Sequence, residues 1–104
     1  MKRTIIIAAI LYFTAANAEE KTDWRGNCKK LGGMAEQIMQ FRQDGAAIDA
    51  LIDVAEGSKL MEGLVFAAFD QTRYHTKKMQ TRAVREFKND VYLDCAKMYR
   101  KARD

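Results

Sequence analysis

The chain has 104 residues, no proline, two cysteines and one histidine, with 18 basic against 14 acidic side chains. That length fits one small domain, whose core alone gives marginal stability. One histidine and two widely separated cysteines leave little material for a metal centre, and the helix-forming composition argues against a β architecture.

The chain opens MKRTIIIAAILYFTAANA. Lys2 and Arg3 form a positive start, Ile5 to Phe13 an uncharged apolar run, and Ala16 and Ala18 supply the small residues that signal peptidase requires. The run is shorter than the roughly 20 residues needed to span a bilayer, and Glu19, Glu20 and Lys21 follow it at once. An uncleaved anchor helix is the disfavoured alternative. Residues 1–18 read as a signal peptide, and residues 19–104 as a single mature helical domain. No second apolar run of membrane length follows, so no stable membrane span is expected after cleavage. The localisation implied is periplasmic or secreted, where thiols are oxidised.

Without Lys2 and Arg3, 16 basic residues face 14 acidic ones, a formal charge of +2. The distribution is uneven: residues 19–72 carry 6 basic and 10 acidic side chains, residues 73–104 carry 10 and 4. Two readings follow. The halves complement each other across the fold, which is the preferred one, or a basic face meets an anionic partner.

Residues 27–44 form the first predicted helix. Cys28, Leu31, Met34, Ala35, Ile38, Met39 and Phe41 or Arg42 recur at steps of three and four, which places the apolar ones on one stripe. Asn27 is the expected N-cap and Gly45 the residue that leaves the helix in the left-handed conformation. Gly32-Gly33 within it points either to close approach of another helix or to a break. A short second helix over 47–55 turns Ile48, Leu51, Ile52 and Ala55 inward, and Gly57 ends it. Ser58 caps a third helix over 59–71, which is apolar around much of its circumference and is expected to be the most buried element.

The turn RYHT follows, with Thr76 as cap of a long fourth helix over 77–102. Val84, Phe87, Val91, Cys95 and Met98 step by 3, 4, 4 and 3; Met79 and Ala83 extend this seam, and Tyr92 and Tyr99 flank it. The expected architecture is all-α, a small bundle of about four helices.

Cys28 and Cys95 each lie on an apolar stripe. Antiparallel packing of the first and last helices brings them together, so one disulfide is expected to staple the bundle. Closing a loop of about 68 residues stabilises the fold by roughly 4 kcal/mol in the chain-entropy treatment. A redox pair is disfavoured, because catalytic dithiols sit close together as C-x-x-C. His75 stands among Arg73, Lys77 and Lys78, where a cation is repelled, so no metal or other cofactor is expected.

Catalytic patterns are missing as well. Ser58, the one serine, is accounted for as a cap, and Asp49 and Asp53 are neighbours on the solvated face of a short helix. The chain therefore reads as a non-enzyme; a concave pocket gathering Tyr74, His75 and an acidic residue would argue otherwise. Arg73, Lys77, Lys78, Arg82, Arg85 and Lys88 form a candidate basic interaction face. Nucleic acid is not the expected partner, since the chain is exported and Glu86, Asp90 and Asp94 interrupt the positive charge.

Arg42-Gln43 with Gly45, then Arg73, Tyr74 and Thr76, then FKNDVYLDC with Cys28, resemble a group of small exported helical proteins of proteobacteria and their phages and prophages. That group has no established activity, so the resemblance implies fold, export and disulfide but no reaction. Its members often carry a proline just before the RY turn. Here Gln71-Thr72 stand there, which predicts a looser turn. The expected function is an interaction or modulator protein acting on another envelope or phage-lysis protein, with a periplasmic stress holdase as the alternative. Nothing in the sequence sets its oligomeric state.

Overall fold

The computed structural model describes residues 23–103, so the signal peptide expected over 1–18 lies outside the described residues. Four helices follow one another: α1 (Trp24–Gln43), α2 (Ile48–Ala55), α3 (Lys59–Phe69) and α4 (Lys77–Arg103). Among the described residues there is no strand. The all-α bundle read from the sequence is what the structure shows.

α1 starts three residues before the position expected. The side chain of Asp23, not Asn27, accepts a hydrogen bond from the Gly26 backbone N–H at 3.2 Å and so caps the helix. The capping carboxylate and its helix start lie upstream of the apolar stripe from which the boundary was read. Asn27 instead sits on the first turn and donates through Nδ2 to the Tyr99 hydroxyl at 3.2 Å. The other expected caps form: Ser58 Oγ accepts from Met61 N–H at 3.3 Å, and Thr76 Oγ1 from Met79 N–H at 3.2 Å.

α1 and α4 are the long antiparallel pair at the centre of the fold, with α3 laid against α1 and α2 against α3. Close approach, not a break, is the outcome at Gly32-Gly33. A Cβ added to Gly32 would meet the Lys88 carbonyl oxygen at 3.6 Å and the Tyr92 Cβ at 3.9 Å, whereas Gly33 faces open space. The core gathers Ala35, Ile38 and Met39 of α1, Leu64, Val65 and Ala68 of α3, and Val84 and Phe87 of α4. Leu31, Leu51, Ile52 and Val91 pack on its margin. Each large side chain buried there contributes about 1.5–3 kcal/mol.

Several core assignments need correction. Met34, Ile48 and Met79 are exposed rather than inward, and of Phe41 and Arg42 it is Arg42 that is half-buried. α3 is not wrapped on all sides: Leu60 and Phe66 face outward at 58% and 54% exposure. Its main neighbours, α1 and α2, leave Leu60 and Phe66 uncovered. Met98, expected on the α4 seam, is 72% exposed and borders an open groove between α3 and α4.

Candidate interaction surfaces

The disulfide is formed. Cys28 and Cys95 are joined at an S–S distance of 2.07 Å with Cα atoms 5.6 Å apart. Both are buried. Beside them the Trp24 and Tyr99 rings stack with centroids 6.5 Å apart. This covalent link closes one end of the α1–α4 pair, and the thiols are consumed in it.

The other end is closed by a side chain that the apolar stripe did not reveal. Gln43 is fully buried. Its Nε2 donates to the Thr72 carbonyl at 2.9 Å and its Oε1 accepts from the Tyr74 N–H at 2.8 Å. Arg42 next to it donates through Nη2 to the Gln71 carbonyl at 3.2 Å, with its guanidinium 4.7 Å from the centre of the Phe69 ring. From the far side, Gln80 Nε2 donates to the Tyr74 carbonyl at 2.8 Å. The turn expected to be loose for want of a proline therefore has its backbone groups taken up one after another by side chains. Gly45, at φ +96°, lets the chain leave α1 where a Cβ would lie 2.9 Å from Arg73 Nη2. The Arg-Gln…Gly…Arg-Tyr pattern is thus a folding hub.

Arg73 of the candidate basic face, exposed at the surface, also takes part in that hub. Its Nε donates to the Gln43 carbonyl at 3.2 Å, and its guanidinium lies against Gly45. Of the five basic residues on α4, four share one depression. Lys77, Lys78, Arg82 and Arg85 line a shallow open depression of ≈ 590 Å³ together with Thr81 and Glu86. Arg85 and Lys88 border a second depression of ≈ 600 Å³, shared with Glu36, Gln37 and Gln40 of α1. Arg82 is paired with Glu86 at 2.9 Å and Lys88 with Glu36 at 3.4 Å. Of these, only the second pair crosses between the acidic and basic halves. Among the described residues Lys77, Lys78 and Arg85 have no ion-pair partner.

A small depression of ≈ 300 Å³ brings Tyr74 and Glu86 together with Arg82, but His75 does not line it. Among the described residues no cluster of three or more His, Cys, Asp or Glu side chains could hold a metal ion.

A third surface was not foreseen. Where α3 diverges from the second half of α4, an open groove of ≈ 550 Å³ runs between Leu60, Leu64 and Ala67 on one wall and Val91, Met98 and Ala102 on the other. Leu31, Cys95 and Tyr99 line it too, and Asp94 is its one charged lining residue among the described residues. The only sign of it in the sequence was an apolar content in α3 greater than one buried face requires. Among the described residues no helix is long and apolar enough to cross a membrane. Comparison with protein-family profiles, with curated proteins and with solved structures finds no match.

Proposed function

We propose that this chain is a non-enzymatic exported protein that binds another envelope or phage-lysis protein through the outer face of α4. The observation that carries the reading is the row Lys77, Lys78 and Arg85, three exposed cations without ion-pair partners among the described residues, on a helix tied at both ends. A rigid, disulfide-linked helix presenting a positive strip is suited to an acidic protein surface, where complementary charge speeds encounter and sets register. The buried disulfide favours an oxidising compartment, in keeping with the export signal read at residues 1–18.

The test is a pull-down from a periplasmic extract with the oxidised protein, run beside a K77E/K78E/R85E variant. A partner retained by the first and lost by the second is expected. Recovery of nothing above background, or of the same proteins by both, would overturn the proposal.

The periplasmic holdase reading has its own observation in the apolar groove and in the outward Leu60, Phe66 and Met98. Such surface can hold an unfolded client, with methionine as an adaptable contact. If the protein leaves the aggregation of a denatured client unchanged at both acid and neutral pH, that reading fails.

A further inference from the structure

The groove between α3 and α4 leaves an apolar seam unfinished. Along α4 the seam buries Val84, Phe87 and Cys95, yet Met98, one turn beyond Cys95 on the same stripe, is 72% exposed. Opposite it stands Leu60, 58% exposed. Monomeric proteins seldom leave a continuous apolar trough uncovered unless something docks there.

We propose that a second copy of this chain covers the groove, the two α4 helices meeting antiparallel about Met98, with Asp94 of each facing Lys101 of the other. Charge arrangement singles out this occupant. Asp94, Met98 and Lys101 follow one another at steps of four and three, so they share one flank of the helix. Asp94 lines the groove, and Lys101 is exposed a turn past Met98. In an antiparallel pair with its two-fold axis at Met98, position 94 of one copy falls beside positions 101 and 102 of the other. Two symmetric Asp94–Lys101 pairs then bracket two Met98 side chains, each directed into the opposite groove. A helix of uniform charge laid in the same trough satisfies one of these groups and repels the other. Only a partner with the reversed order of charges suits both, and an antiparallel copy has that order by symmetry. An isologous contact of this kind uses one patch as both knob and hole, and it closes at two copies. The patch is small beside the roughly 800 Å² per partner of a standard interface, so a weak dimer is expected, with Kd about 10⁻⁵ to 10⁻⁴ M.

The experiment is sedimentation equilibrium of the purified disulfide-bonded protein, from micromolar to millimolar concentration. The unmodified chain is expected to pass from monomer to dimer. Asp94→Lys and Lys101→Asp, each placing like charges face to face, are expected to weaken the dimer at least about tenfold. The combined D94K/K101D variant restores the pairing with signs exchanged and is expected to return within about threefold of the parent. Met98→Glu is expected to leave only monomer. All three positions are at the surface or groove edge, and circular dichroism checks that each variant keeps its helices. A chain that stays monomeric throughout overturns the proposal. So does a dimer indifferent to these substitutions, or a double swap no stronger than the single ones.

Discussion

The α1–α4 pair is tied at one end by a covalent bond and at the other by a buried glutamine. At the Cys28–Cys95 end the link spans 67 positions of sequence, and its main effect is on the unfolded chain, whose freedom it restricts. At the Gln43 end the ties exist only in the folded state, where they fix the path of the backbone from Gln71 to Tyr74. The first end governs how stable the pair is. The second governs where α3 and its connection to α4 must run.

Breaking the covalent end should have the largest effect. A domain of this size has a total stability of about 4–12 kcal/mol. Loss of the disulfide, by reduction or by C28A/C95A, is expected to remove roughly 4 kcal/mol of it. Urea unfolding with and without reductant measures this directly. Coincident midpoints would show that the link contributes nothing.

Gln43→Ala comes next, at about 2–3 kcal/mol. It leaves the Tyr74 N–H and the Thr72 carbonyl without the partners they have in the fold, and it opens a cavity. Gln43→Leu separates the two causes, since it fills the space but restores neither hydrogen bond; it should recover less than half of the loss. The two ends are some 15 residues apart on α1, about 22 Å along the helix axis. The effects of C28A/C95A and Gln43→Ala should therefore add to within about 0.5 kcal/mol. A large departure from additivity would mean that the two ends are not independent.

The same comparison shows what could be read from the sequence and what could not. The cysteine end was legible because Cys28 and Cys95 each fall on an apolar stripe, and periodicity places such residues inward. Gln43 belongs to no apolar pattern; it is buried because it satisfies loop backbone 29 and 31 positions further on. Gln43 entered only through the resemblance, which gave no reason for its burial. Helix starts at Ser58 and Thr76 were legible from capping chemistry, whereas Asp23 lay outside the stripe from which the boundary was drawn. Leu60, Phe66 and Met98 mark a further limit. Composition says that a residue is apolar, but its burial depends on whether a neighbouring helix extends far enough to cover it.

A smaller effect sharpens the Gln43 end. Gly45→Ala places a Cβ at φ +96°, 2.9 Å from the Arg73 guanidinium. The backbone strain and the displaced Arg73 together are expected to cost about 1–2 kcal/mol. Pairing the change with Arg73→Ala removes the steric part, so the penalty should fall toward about 1 kcal/mol, the share due to backbone conformation. If the double variant loses the sum of both single effects, Arg73 does not press on Gly45.

The smallest effect lies between the two ends, where Lys88 reaches Glu36 at 3.4 Å. This ion pair also ties α4 to α1, and in a contact diagram it would rank with the other two. Its side chains are 44% and 47% exposed, however, so water screens the attraction and both chains keep much of their freedom. Glu36→Gln should shift the unfolding free energy by no more than about 0.5 kcal/mol. The parent's stability should likewise be nearly flat with added salt, since little of it is surface Coulomb energy. Lys88→Ala should cost more than Glu36→Gln, because the Lys88 side chain also packs 3.6 Å from the Cβ position of Gly32. Equal losses from the two substitutions, or a steep fall in stability with salt, would show that charge and not packing joins the helices at their midpoint.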